Sequence, residues 1–228
     1  MNLPLPRRLS GRRTQAQYPG QAQGSGQAQC PGEAERPGEA ERADQPECPG
    51  RPGRGTGPDR AAEHAAYMSW IAATVGEHGW AVTGRHGDKA APPWAYSVGM
   101  WVSGQVPELI LCGLPVESAA AIVNAIGARA ADGAEYAPGD LIDDICPAPL
   151  VLRQVERSWR DTDGLLGISN AFYGMVRPPY LQVVWSDKSG RFPWDRGFQP
   201  DLTGMQPLLW LPRDDNPPSP WTRLDDLH

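Results

Sequence analysis

Few side chains in this chain have the type and setting that chemistry requires. Cys112 ends the apolar run Glu108-Leu109-Ile110-Leu111-Cys112, directly before Gly113-Leu114-Pro115 and a helical stretch. A thiol beside a helix N-terminus has a lowered pKa and gains nucleophilicity. It also needs a base, and His78 and His86 are tied to it by no motif. No Gly-x-Ser-x-Gly elbow surrounds it, so a packed strand cysteine is the preferred reading. His64, His78 and His86 are scattered, and neither Cys-x-x-Cys nor His-x-x-x-His occurs, so no metal site is expected. Gly84, Gly87, Gly99 and Gly113 form no dinucleotide or Walker pattern, and Pro115 removes one N–H from the helix start that offers any.

A concave ligand site has more support. The segment 94–100 alternates large Trp94, Tyr96, Val98 and Met100 with small Ala95, Ser97 and Gly99. The small face lets something approach the backbone. Together with Tyr96, Gln182, Trp185, Asp187, Arg191 and Trp194, the residues Ser97 and Gly99 make a candidate pocket of aromatic walls and a few polar groups. The plainer alternative is that a helix covers the small face, Asp187 pairs with Arg191, and the Trp residues are core.

Those residues need elements to hold them. Leu181, Val183 and Trp185 alternate with Gln182, Val184 and Ser186, as in a strand covered on both sides. Asp187-Lys188-Ser189-Gly190 follows with the residues of a type I turn and a left-handed Gly. A second strand over 191–194 would complete a hairpin, with Asp187 opposite Arg191 and Pro193 marking its limit. Upstream, Pro58-Asp59 opens a helix with an apolar stripe at Tyr67, Trp70, Ile71, Thr74 and Val75, closed by Gly79. Strands are expected over 80–83, 94–100, 108–112 and 150–155. A second main helix carries Ala119, Ile122, Val123 and Ile126, and a short one lies within 168–176. Residues 157–166 read as charged surface, and 206–210 as an apolar segment packed back on the domain. The sum is an α+β domain, mainly antiparallel, its sheet open or closed into a small barrel, packed with two main helices.

Composition sets the limits. Of 228 residues with net charge −6, those up to Pro58 hold eight Arg against six acidic residues, which leaves about −8 on the rest. An acidic body disfavours nucleic acid. All nine Trp lie from Trp70 onward, which places the core. Residues 1–57 hold short repeats, among them Pro-Gly-Glu-Ala-Glu-Arg from Pro31 and again from Pro37, with almost no large apolar residue. That composition predicts a disordered tail, and a second tail is predicted over 212–228, leaving a domain over 58–211. Cys30, Cys48, Cys112 and Cys146 suggest no disulfide framework, so a reducing cytoplasm is expected. No run is long and apolar enough for a membrane, and Arg7-Arg8 is followed by no apolar signal region.

Several stretches resemble one family, the domain of unknown function 4262. They are His78-Gly79-Trp80-Ala81-Val82, Pro93-Trp94-Ala95-Tyr96-Ser97-Val98-Gly99, Pro107-Glu108-Leu109 and Gly113-Leu114-Pro115, then Leu181-Gln182-Val183-Val184-Trp185, Gly190-Arg191-Phe192-Pro193-Trp194 and Gln206-Pro207-Leu208. Ser186 departs from the Pro that the family pattern leads one to expect. The resemblance implies a fold-sized domain and no reaction. Two functions stay open. One is a non-catalytic binding or interaction domain, homo-oligomerisation included. The other is an enzyme binding flavin or another small cofactor, because the strand-strand-helix opening is similar, at the level of fold alone, to split-barrel flavin reductases.

Overall fold

The computed structural model describes residues 58–227, and the leading stretch read above as disordered lies outside them. Helix α1 (Pro58–His78) packs by the stripe its spacing predicts: Tyr67, Ile71, Thr74 and Val75 are buried, Trp70 half-buried. Gly79 ends it at φ +87, its N–H donating to the Val75 carbonyl at 2.9 Å. Only glycine adopts that conformation without cost.

The chain then lays down β1 (Ala81–Arg85), β2 (Trp94–Val98), a short α2 (Met100–Gly104) and β3 (Glu108–Cys112). Next come α3 (Val116–Ala131), β4 (Leu141–Ile142), β5 (Leu150–Gln154), α4 (Arg157–Arg160), α5 (Asp163–Tyr173) and β6 (Tyr180–Trp185). The six strands form one sheet in the order β1-β2-β3-β6-β5-β4. Every pairing is antiparallel except β3 with β6, which runs parallel from Glu108 opposite Tyr180. The sheet is open, with β1 and the two-residue β4 at its edges, so the barrel-like alternative is corrected. Helices on both faces bury the sheet, and closure is not needed to hide its apolar sides.

One face carries α1, α5 and the C-terminal segment over Trp94, Tyr96, Val98 and Ile110. The other carries α3, whose Ala119, Ile122, Val123 and Ile126 meet Ala95, Leu109, Leu111, Leu181 and Val183. Two tryptophan N–H groups find partners inside: Trp94 donates to the Leu165 carbonyl at 3.1 Å and Trp185 to that of Cys112 at 2.8 Å.

Three expectations differ from the structure. The hairpin has its first strand and its turn but no second strand, and Phe192 lies outside any strand. β6 already has β3 on one side and β5 on the other, so no edge is left to pair, and Pro193 lacks the N–H to try. Residues 157–166 are not surface, because Trp159, Leu165 and Leu166 are buried. The predicted tail from Pro212 is also corrected. Trp221 and Leu224 are each 1 % exposed, and Trp221 meets Trp94 edge-on at 5.7 Å. Burial of two large side chains outweighs the proline content of the segment.

Candidate functional site

Glu108 is a carboxyl wholly buried at the start of β3. Strand alternation puts it on the side of Ile110 and Cys112, facing the core. Four donors converge on its carboxylate: the hydroxyls of Ser97 and Tyr173, and the N–H groups of Gly99 (2.9 Å) and Trp101 (3.1 Å). The last two belong to the first turn of α2, whose cap at Gly99 offers no side chain of its own. Burial pushes the Glu108 carboxyl above its usual pKa, and the four hydrogen bonds counter this only in part. Burial and the adjacent Glu108 likewise push the Tyr173 and Tyr180 phenols up. The arrangement pins α2 and α5 to the sheet.

The candidate pocket residues divide among separate duties. Tyr96 and Ser97 are fully buried, and Ser97 serves Glu108. Gly99, at φ +114, leaves no room beside Val75, where an added Cβ would lie 2.6 Å from a methyl. α3 covers Ala95, so the small face receives a helix. Gln182 donates to the Pro207 carbonyl (2.8 Å) and accepts from the Leu209 N–H (3.1 Å). Gln206 answers it by bonding both backbone groups of Trp185, at 3.0 and 2.9 Å. These two amides fasten the segment after Met205 across the sheet.

Asp187, Arg191 and Trp194 do come together. The Asp187 carboxylate accepts from the N–H groups of Ser189 (2.8 Å), Arg191 (3.0 Å) and Gln199 (3.2 Å), and from the Arg191 guanidinium (3.1 Å). Burial alone would raise this carboxyl, but these donors outweigh it and hold it below the usual range. The Asp187 N–H returns a bond to the Arg191 carbonyl at 2.7 Å, and Gly190 takes the left-handed turn at φ +73. Asp195 then accepts from the Phe192 N–H at 2.8 Å, and the chain turns outward.

Trp194 stands at that bend, 42 % exposed. It stacks on Phe192 (ring centres 5.1 Å, 13°) and meets Trp210 edge-on (5.3 Å, 85°). Arg153 completes this ledge, its guanidinium 4.5 Å from the Trp194 ring centre and 5.7 Å from that of Trp210. Register explains the meeting. Arg153 lies opposite Gln182 on the sheet, and Gln182 holds residues 207 and 209, so Trp210 arrives over its neighbour. The Arg153 Nε is buried with no hydrogen-bond partner, and among the described residues no carboxylate pairs with the guanidinium. An arginine between tryptophans, with donors unspent, can take a carboxylate or phosphate.

Sequence reasoning missed Glu108, Arg153 and Trp210 as site residues. Glu108 had a signal, since a charge at an inward position of an apolar strand demands partners. Arg153 had none. The Cys112 thiol is fully buried on the face away from α3, so burial raises its pKa and the helix terminus does not reach it. A cleft of about 490 Å³ opens elsewhere, over Leu109, Ile126 and Leu181 with Gln105, Glu135 and Tyr136 at its rim, and touches none of the eight candidates. Among the described residues no cluster of His, Cys, Asp or Glu could hold a metal, and no helix is long and apolar enough to cross a membrane.

Residues 74–199 match the family model described as domain of unknown function (DUF4262), a span that holds Glu108, Arg153, Asp187 and Trp194. Neither curated proteins nor solved structures give a match.

Proposed function

This chain belongs to the DUF4262 family of domains of unknown function, and from that premise we propose that it is a non-catalytic binding domain whose contact surface is the Arg153–Trp194–Trp210 ledge. One observation carries the reading: an exposed tryptophan, stacked on Phe192, beside an arginine that has no acidic partner among the described residues. Aromatic and arginine side chains supply most of the energy at binding surfaces. The two buried carboxyls are committed to the fold, Glu108 to α2 and Asp187 to its turn. A reducing cytoplasm suits Cys112, whose thiol is buried and in no disulfide.

Panning a random peptide library on the full chain tests the proposal. Enriched peptides should lose at least about tenfold in affinity in Trp194→Ala, and keep it in Val102→Ser, which alters an exposed residue of α2. Peptides indifferent to Trp194, or a flavin absorbance band carried through gel filtration, would overturn it.

A further inference from the structure

We propose that the cleft of about 490 Å³ where α2 and α3 end is a second binding site, and that it takes a small organic ammonium ion, a protonated amine carried on an aromatic or branched apolar body. The cleft shares no residue with the ledge, and neither reading needs the other.

Local backbone chemistry builds the cleft. Gly133, at φ +96, closes α3, and the Ala134 N–H returns to the Arg129 carbonyl at 2.9 Å. That ending keeps Glu135 and Tyr136 on the same cleft as Ala130 of the helix. The end of α2 supplies Gln105, which at φ +57 is the one non-glycine residue with positive φ among the described residues. Its backbone N–H and its side-chain amide both donate to the Trp101 carbonyl, at 3.0 and 2.9 Å, and hold the turn that brings Val106 and Pro107 to the cleft. Leu109, Ile126 and Leu181 lie beneath, almost wholly buried. The half-buried Val106, Pro107, Ala130 and Tyr136 are the apolar surface that a ligand touches. A recess of this volume, mostly apolar with a few polar groups, suits a small molecule.

Charge selects a cation. Among the described residues that line the cleft, Glu135 alone is charged, and no hydrogen bond or ion pair engages its carboxylate. Gln105 has spent its amide N–H on Trp101 and keeps an acceptor oxygen. The C-terminus of the 16-residue α3 adds negative potential. Arg129, in the last turn of α3, would oppose a cation, but Asp144 takes its guanidinium at 2.7 Å. Tyr136 brings an aromatic ring, whose face attracts ammonium groups. An anion meets no basic side chain among these residues.

Phenethylammonium titrated into the full chain, with methyl resonances as the readout, tests the inference. The Val106 and Ala130 methyl signals should move and saturate, with a Kd of about 1 mM or tighter. 2-Phenylethanol, matched in shape but uncharged, should bind at least about fivefold more weakly, and 3-phenylpropanoate should not bind. Glu135→Gln, an exposed change, should weaken the ammonium by about threefold or more and leave the alcohol as it was. Ala130→Leu, which fills the recess, should abolish binding; if that variant fails to fold, Glu135→Gln still decides. Methyl signals that stay still at about 10 mM phenethylammonium overturn the inference. Equal affinity for ammonium and alcohol, or an ammonium affinity indifferent to Glu135→Gln, overturns the choice of a cation. Shifts that survive in folded Ala130→Leu place the probe elsewhere and overturn it too. Dependence of library peptides on Trp194 is read separately, so either site can fail alone.

Discussion

Glu108 and Arg153 are charged side chains set in the same sheet, and they are treated in opposite ways. Glu108 is enclosed by four donors drawn from β2, α2 and α5, three on one oxygen and one on the other. Arg153 has tryptophan on its faces but no acceptor for its Nε. A carboxyl that is buried and satisfied holds elements in place, and removing it strands the groups around it. A guanidinium held flat by aromatic rings with donors unspent contributes little to folding and remains open to a partner. The first site builds the architecture; the second is displayed by it.

The contrast breaks most readily at Glu108. Glu108→Ala takes the carboxylate acceptor from the Ser97 and Tyr173 hydroxyls and the Trp101 N–H, and leaves the Gly99 N–H only the Tyr173 oxygen, so it should cost about 3–5 kcal/mol. Thermal melting should then fall by roughly 10 °C or more for a domain of this length. A drop of only a few degrees would mean that the network is dispensable. Tyr173→Phe deletes one of the four donors and should cost about 1–2 kcal/mol by chemical denaturation.

The pH dependence sharpens the same site. The Glu108 carboxyl is easier to protonate when folded than when unfolded, because burial penalises its charge. Its contribution is therefore full below the unfolded pKa, near 4.5, and declines as pH rises toward the folded value. Melting temperatures of wild type and Glu108→Gln between acid and neutral pH should show the wild type losing ground as pH increases. A difference that stays flat, or grows in favour of the wild type, would show that Glu108 titrates as a solvated acid.

The smallest effect belongs to the ledge. Arg153→Met removes an unpartnered polar atom and keeps an apolar stem against Trp194 and Trp210. Stability should change by no more than about 0.5 kcal/mol, or rise. A loss above about 2 kcal/mol would place Arg153 with Glu108 among the groups that hold the fold, and the ledge would lose its claim as a binding surface.

Much of the scaffold was legible from spacing. The stripe from Tyr67 to Val75, the end at Gly79, the α3 stripe and the strands around Ile110, Leu152 and Val183 all stand where their periodicities put them. The turn at Asp187–Gly190 was legible for the same reason, since Asp and Gly act on their own backbone. The strand expected after it was not, because whether β6 has a free edge depends on β3 and β5. The end of the chain was misread from its prolines, although Trp221 and Leu224 three residues apart were a signal of burial.

The sequence by itself determined which residues coil, extend or turn, and where apolar faces lie, because those patterns arise from steric and hydrogen-bonding preferences within a few residues. Only the tertiary structure decided that α3 covers the small face of β2, that Glu108 receives donors from three elements, and that Trp194, Trp210 and Arg153 share one corner. These meetings depend on a parallel β3–β6 seam joined by a long crossover, and on Gln182 and Gln206 carrying the last segment back across the sheet. Local preference fixes none of these neighbours, because each is selected by packing between segments far apart along the chain.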